Sequence, residues 1–180
     1  GFVGVASSVI QEEKRWLTIA TKKLLHRGPD DYGVKWLNRG KVGLGHSRLS
    51  IIDLSFAGHQ PFVIPELNLA IVFNGEIYNY LELQKKLIYK GHKFISESDT
   101  EVLLRSYFSW GSDCLKYFNG MFSFVIYDLN KEEIFLARDR SGEKPLFYRI
   151  EDQRIFFASE LKALFVHPRI PRKINLTSLD

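Results

Sequence analysis

The last third of the chain constrains the fold most, because it contains four successive segments with the residue types of β-strands. Phe, Tyr, Ile and Val dominate residues 121–127, 133–137, 146–150 and 154–158, and these types fit the pleated surface of a sheet. Polar connections at residues 128–130, 138–145 and 151–152 separate them. Neighbouring strands joined in this way pair antiparallel, so the pattern predicts an antiparallel meander.

Strand patterns also open the chain, and most helical patterns lie between the two groups of strands. Residues 1–7, 32–37, 42–46 and 69–73 predict strands. Apolar residues recur at helical spacing within residues 12–25 and 81–89, and further helices are predicted at residues 100–110, 112–117 and 160–165. This order favours an α+β domain in which helices cover the outer faces of two antiparallel sheets.

The stretch Phe73-Asn74-Gly75-Glu76-Ile77-Tyr78-Asn79-Tyr80 follows the apolar run at residues 69–72. It has two interpretations. A buried strand that ends in Asn74, Gly75 and Glu76 would bring an amide donor, an open backbone N–H and a carboxylate to the rim of a sheet, which suits a small zwitterion with a carbonyl. Alternatively, Asn-Gly is the strongest short signal for a hairpin turn.

Composition excludes several other classes. A single cysteine, Cys114, rules out an internal disulfide and an all-cysteine zinc cluster, and is compatible with a cytoplasmic location. No apolar stretch approaches the roughly 20 residues that span a bilayer, and no signal peptide is apparent. The net charge of +4 comes from basic residues spread along the chain, so we expect neither nucleic-acid nor membrane binding.

Several segments, taken in order, resemble the glutamine-hydrolysing domain of the class II amidotransferases, and most closely the asparagine synthetase type. They are Arg27-Gly28-Pro29-Asp30-Asp31, Gly45-His46-Ser47-Arg48-Leu49-Ser50-Ile51-Ile52-Asp53, Gly58-His59-Gln60-Pro61, Phe73-Asn74-Gly75-Glu76-Ile77-Tyr78-Asn79, Ser98-Asp99-Thr100-Glu101, Asn119-Gly120-Met121-Phe122 and Ala137-Arg138-Asp139-Arg140. The resemblance implies the N-terminal-nucleophile hydrolase fold, a four-layer αββα sandwich. It also implies a glutaminase domain at residues 1–165 and, at residues 166–180, a linker toward a synthetase domain.

The resemblance further implies a catalytic cysteine whose thiol attacks the glutamine amide and whose own α-amino group is the base. The family's start resembles Cys-Gly-Phe-Val-Gly, and this sequence begins Gly1-Phe2-Val3-Gly4. We therefore expect the nucleophile immediately before Gly1. Cys114 is a poor substitute, because a buried structural cysteine is usually inert.

Site residues carry over by position. Arg48 resembles the residue that pairs with the glutamine α-carboxylate, and the backbone of Leu49, Ser50, Ile51 and Ile52 resembles a wall of the pocket. Asn74 and Gly75 resemble the oxyanion hole, while Glu76 and Asp99 resemble the anions that bind the α-ammonium. Alternatives stay open: Arg48 as a surface ion pair, and Asp99 as the cap of the next helix.

Two other groups of residues could be mistaken for binding sites. His46 and His59 have no partner at metal-ligand spacing, which favours structural histidines. Arg138 and Arg140 could bind phosphate, but their position at the end of a strand favours a structural role.

The predicted function is hydrolysis of L-glutamine to glutamate and ammonia, which supplies an ATP-dependent amidation of a carboxylate as in asparagine biosynthesis. We expect no cofactor or metal in this domain, and we expect Mg-ATP to bind in the synthetase domain. That synthetase domain, part of the same chain, is the expected protein partner. Formation of a homodimer is left open. Two alternatives remain. One is an inactive glutamine-binding or scaffolding homologue without the cysteine, and the other is a sugar-carboxylate amidotransferase of polysaccharide biosynthesis.

Overall fold

The computed structural model describes residues 1–11, 14–49 and 58–173. The strands are β1 (Phe2–Ser7), β2 (Asp31–Leu37), β3 (Val42–Arg48), β4 (Phe62–Ile64), β5 (Leu69–Ile77), β6 (Gly120–Asp128), β7 (Glu133–Arg138), β8 (Phe147–Glu151) and β9 (Arg154–Ala158). The helices are α1 (Arg15–Lys22), α2 (Tyr80–Tyr89), α3 (Asp99–Trp110) and α4 (Leu161–Leu164). Short 3₁₀ helices lie at Leu25–Arg27, Asn38–Gly40, Pro65–Leu67 and Gly111–Lys116.

The strands form two antiparallel sheets. The first sheet has the order β2-β3-β1-β9-β8, and the second has the order β4-β5-β6-β7. The predicted meander is wrong at one connection, because β6 pairs with β7 in the second sheet whereas β8 pairs with β9 in the first. The chain therefore crosses between sheets through the polar connection that follows β7.

That crossing connection is held in shape by the side chains of Arg138 and Asp139. Nε of Arg138 donates to the carbonyl of Lys144 at 2.7 Å, and its guanidinium also donates to the carbonyl of Gly142. The Asp139 carboxylate accepts backbone N–H bonds from Phe122, Glu143 and Lys144. These contacts give the first arginine of the Arg-Asp-Arg segment a structural role.

Apolar clusters separate four layers, as the alternation of side chains along the strands requires. Helices α1 and α4 cover the outer face of the first sheet, where Val3 and Val5 point outward. Phe2 lies on the opposite face, in the cluster between the sheets. Helices α2 and α3 cover the second sheet. The four-layer αββα sandwich expected from the resemblance is confirmed.

Two details concern the ends of the described helices. The predicted start of the first helix falls at residues 12–13, outside the described residues, and α1 begins at Arg15. His167 and Ile170 follow α4 and pack on the outer face of the first sheet, with the His167 ring 4.8 Å from that of Trp16. No helix of the described residues is long and apolar enough to cross a membrane.

Candidate active site

A cavity of about 290 Å³ opens at one end of the sandwich, where β1, β3 and β5 come together. Its lining includes Gly1 and the described site residues that the resemblance implied, namely Arg48, Leu49, Asn74, Gly75, Glu76 and Asp99. Ser50, Ile51 and Ile52 lie outside the described residues. The fold thus brings together residues from positions far apart in the sequence.

Asn74 and Gly75 lie inside β5, not in a turn. Asn74 pairs with Ser123 and Gly75 pairs with Phe122, and the ladder with β6 continues on both sides of them. The hairpin-turn interpretation is therefore wrong. A strand in which Asn-Gly is flanked by paired residues gives these two residues fixed directions, which a mobile turn would not provide.

The direction of each polar group at Asn74 and Gly75 follows from this pairing. Ile77 donates its N–H to Asp99 at 3.0 Å and Phe73 donates to Gln60, so odd-numbered residues of β5 direct their amides away from β6. The N–H of Gly75 points to the same edge, because amides alternate along a strand. Nδ2 of Asn74 is buried and has no hydrogen-bond partner among the described residues. Two amide donors are therefore available beside the cavity.

Gly75 itself cannot be replaced without distortion. Its φ of +152° lies in a region that side chains rarely adopt, and an added Cβ would lie 2.1 Å from the Met121 carbonyl oxygen. Glycine is needed here because the neighbouring strand approaches so closely.

Arg48 ends β3 and is half-buried at the cavity wall. Its guanidinium lies against Gly58, where an added Cβ would be 2.1 Å from Nη2. The next residue, Leu49, lines the same wall and is 54% exposed. A cation at this position, with two parallel donors, suits a carboxylate.

Glu76 and Asp99 place two carboxyl groups on the cavity. Burial, and to a smaller extent the nearby charge of Glu76, raises the pKa of Asp99 to about 6, against the opposing hydrogen bonds from Ile77 and Thr100. Asp99 is not the cap of α3, because the side chain of Ser98 is the cap and accepts the N–H of Thr100. The carboxylate pair is therefore suited to a cation.

Gly1 lies at the cavity and is anchored to β3. Its nitrogen donates to the Ser47 carbonyl at 2.7 Å, and Ser47 returns a bond of 2.8 Å to the Gly1 carbonyl. Burial, followed by the charge of Arg27, lowers the pKa of the Gly1 amino group to about 5. The buried surroundings therefore disfavour a charge at this nitrogen.

Arg27 lines the cavity, and its Nη1 donates to the carboxylate of Glu160 at 3.0 Å. Burial alone would raise the pKa of Glu160, but hydrogen bonds from Lys162, Arg27 and His26 lower it to about 2. Nε of Arg27 is buried and has no partner among the described residues. Arg27 belongs to a segment of the resemblance, but no role was assigned to it from sequence, so its place at the cavity was missed.

Histidines and the free cysteine have other roles. His59 bonds the Asp31 carboxylate at 2.6 Å, and the described residues contain no group of three or more metal-ligating side chains. Cys114 is buried in the cluster under α3, outside the cavity lining. Burial raises the pKa of its thiol to about 12, so it is not a nucleophile for this cavity.

Gln60 and Lys144 also line the cavity, although no sequence pattern assigned a role to either residue. Gln60 belongs to the segment Gly58-His59-Gln60-Pro61, which the sequence singled out as a motif. Lys144 lies on the connection held by Arg138. That connection brings it to the cavity only because the chain crosses between sheets, which no local pattern signals.

Comparison with known proteins matches the whole chain to one family, described as a glutamine amidotransferase domain, over residues 1–180. The chain is 40% identical to the glutamine-hydrolysing asparagine synthetase 3 of Bacillus subtilis, over 100% of this chain and 29% of that protein. It is 45% identical to asparagine synthetase 2 of the same organism, over 83% of this chain and 19% of that protein. The chain therefore spans less than a third of the length of these relatives.

A solved structure shares the fold. The glutamine phosphoribosylpyrophosphate amidotransferase from B. subtilis, complexed with ADP and GMP, superposes with a TM-score of 0.77 at 22% sequence identity. The match covers 92% of this chain and 43% of that one. At this level of identity, the likeness concerns the arrangement of sheets and helices.

Proposed function

Because the chain belongs to the glutamine amidotransferase domain family, we propose that it hydrolyses the side-chain amide of glutamine to glutamate and ammonia. The observation that carries this proposal is the composition of one cavity. Two amide donors, a guanidinium and a pair of carboxyl groups line it next to Gly1. These are complementary to the carbonyl, the α-carboxylate and the α-ammonium of an amino acid amide.

Each end of the substrate has a partner. Arg48 binds the α-carboxylate, with Leu49 as part of the wall beside it. Glu76 and Asp99 bind the α-ammonium. The volume of about 290 Å³ lies just below the roughly 300–1,000 Å³ typical of ligand pockets, which suits a single amino acid.

The reaction begins with a cysteine joined through its peptide bond to the nitrogen of Gly1. The α-amino group of this cysteine takes the thiol proton and leaves a thiolate. It attacks the amide carbon, and the negative charge that develops on the oxygen accepts hydrogen bonds from Nδ2 of Asn74 and the N–H of Gly75. The C–N bond then breaks, and the leaving nitrogen takes a proton from the cysteine's α-amino group and departs as ammonia. Water hydrolyses the thioester to glutamate and restores the thiol.

The fate of the ammonia belongs to the whole protein. The relatives are named as asparagine synthetases and are longer than this chain. We therefore propose that the ammonia supplies an ATP-dependent amidation of a carboxylate in a synthetase domain, where Mg-ATP binds. The acceptor is aspartate or, in the alternative, a sugar carboxylate.

The experiment compares three forms of the chain: one with cysteine before Gly1, one with serine there, and one that starts at Gly1. Only the cysteine form should release glutamate and ammonia in equal amounts, and only it should react once with a glutamine-like diazoketone. Asparagine is one methylene shorter, and its kcat/KM should be about 10–200-fold lower than that of glutamine. The reason is that the groups that bind the α-carboxylate and α-ammonium lie at a fixed distance from the two amide donors.

Two outcomes would contradict the proposal. Turnover by the form that starts at Gly1 would place the chemistry elsewhere. A folded cysteine form that binds glutamine without turnover would favour the glutamine-binding homologue.

A further inference from the structure

Among the described residues, no strand pairs with the edge of β5 beside the cavity at Phe73. Strand β4 begins at Phe62, which pairs with Ile71. Continuing that register by two residues would bring Gln60 opposite Phe73, but Gln60 precedes β4 and does not pair through its backbone. The N–H and carbonyl of Phe73 both point to this edge, and buried backbone groups without partners are costly.

Side chains replace the missing strand at this point. Oε1 of Gln60 accepts the N–H of Phe73 at 2.7 Å, and Nε2 of His46 lies 2.9 Å from the Phe73 carbonyl. Because a carbonyl only accepts, Nε2 of His46 carries the hydrogen. Burial lowers the pKa of His46 well below its usual range, so the ring stays neutral. Both polar groups of the residue directly before Asn74 are thus held by side chains.

Gln60 also reaches the other half of the cavity. Its Nε2 lies 3.4 Å from Oγ1 of Thr100, which follows Asp99 at the start of α3. The side chain is buried, with 6% exposed. Its main chain is fixed as well, since a Cβ added at Gly33 would lie 2.3 Å from the Gln60 carbonyl oxygen. One buried amide therefore joins the strand of the two donors to the helix of Asp99.

We propose that Gln60 is a positioning residue that fixes the oxyanion donors Asn74 and Gly75 relative to the ammonium-binding Asp99. This inference rests on the proposed glutaminase function. Gln60 would act mainly on kcat, because the charge that Asn74 and Gly75 stabilise exists only after the thiol attacks. A misplacement of about 1 Å at such a site can cost about 10²-fold in rate.

The test uses the cysteine form of the chain with Gln60→Leu and Gln60→Glu. Gln60→Leu removes the acceptor for the Phe73 N–H, and we expect kcat to fall about 10–100-fold with little change in KM. Gln60→Glu keeps an acceptor of the same length, so it should recover most of the lost kcat. Rates are divided by the fraction of sites that the diazoketone labels, which removes any effect of unfolded protein.

Gln11→Leu is the matched control. Gln11 is also a buried glutamine, 7% exposed, and its Nε2 donates to the Val9 carbonyl, outside the cavity lining. It should lower the melting temperature without changing kcat. Hydrogen exchange of the Phe73 amide gives a readout that is independent of activity: exchange should be faster in Gln60→Leu than in the parent and in Gln60→Glu.

The outcomes separate this inference from the proposed function. If the parent cysteine form does not hydrolyse glutamine, the proposed function fails. If the parent is active and Gln60→Leu keeps its kcat, Gln60 has no positioning role. Should Gln60→Leu not fold, Gln60→Asn decides, because its shorter side chain loses the bond to Phe73 while remaining a polar amide. A normal kcat in that variant overturns the inference.

Discussion

Asn74→Ala should lower kcat strongly and leave the protein nearly as stable as before. In the proposed mechanism the lost donor acts on the oxyanion, and removing one such donor costs about 10²–10³-fold in kcat, or about 2.7–4 kcal/mol. KM for glutamine should change much less, because the neutral amide of the ground state needs this donor less than the oxyanion does. The expected signature is a loss in kcat alone.

The small effect on stability follows from the structure. Nδ2 of Asn74 is buried without a partner among the described residues, so alanine removes no bond of the free protein there. An unsatisfied buried donor lowers the free energy of unfolding by about 1–3 kcal/mol. Removing this donor therefore offsets the stability lost with the packing contacts of the amide. The melting temperature should therefore stay close to that of the parent.

Asn79, five residues further along the same motif, provides the opposite case. Its Nδ2 donates to the Tyr117 carbonyl at 2.9 Å, and its Oδ1 accepts the Asn119 N–H at 3.0 Å. Asn79→Ala loses both bonds, each worth about 0.5–1.5 kcal/mol, and so should lower the melting temperature by a few degrees while kcat stays normal. Asn79 lies outside the cavity lining.

The assay measures glutamate release against glutamine concentration, together with thermal unfolding, for both variants in the cysteine form. The reasoning is refuted if Asn74→Ala loses stability but keeps kcat. It is also refuted if Asn79→Ala loses kcat to the same extent as Asn74→Ala.

Three further predictions concern the same form of the chain. Arg48→Ala should weaken glutamine binding by about 2–5 kcal/mol, as expected when a charge loses its partner. The control Arg140→Ala, at an exposed arginine, should leave binding unchanged. Calorimetry measures both variants, and an unchanged glutamine affinity in Arg48→Ala would exclude Arg48 from the site. The pKa of Asp99 is raised to about 6, so its carboxyl is protonated and neutral below that pH. A neutral carboxyl binds an ammonium less well, so KM for glutamine should rise as the pH falls below about 6, by at most about tenfold per pH unit. Asp99→Asn should raise KM at neutral pH and remove this dependence, and a KM profile unaffected by the substitution would exclude Asp99 from binding. Cys114→Ser should keep the full kcat, because that thiol is buried with its pKa near 12; loss of kcat in folded protein would contradict this.

The α+β class could be predicted because the buried face of a helix or strand shows in the spacing of apolar residues within a short segment. Val3 and Val5 alternate with Phe2, and the two faces of β1 meet different apolar layers. The apolar spacing that includes Trp16 and Ala20 likewise predicts the buried face of α1. Such periodicity involves only residues close together in the sequence, so it can be recognised without knowing how the rest of the chain folds.

The residue types of the candidate site could also be found from sequence, but their geometry could not. Asn-Gly favours a turn locally, and only the pairing of Asn74 with Ser123 and of Gly75 with Phe122 makes it part of a strand. Strand register depends on partners distant in the sequence, and these override local turn propensity.

The sequence by itself determined the types and faces of most elements, the α+β class and, through the resemblance, the place of Arg48, Asn74, Glu76 and Asp99 at the cavity. Tertiary structure alone decided that the chain crosses between sheets after β7, that Asp99 is buried near Glu76 with a raised pKa, and that Gln60 replaces a missing strand at Phe73. The physical reason is the range of the interactions. Periodicity and capping act over a few residues, whereas burial, charge coupling and the unpaired edge of β5 exist only once distant segments have packed together.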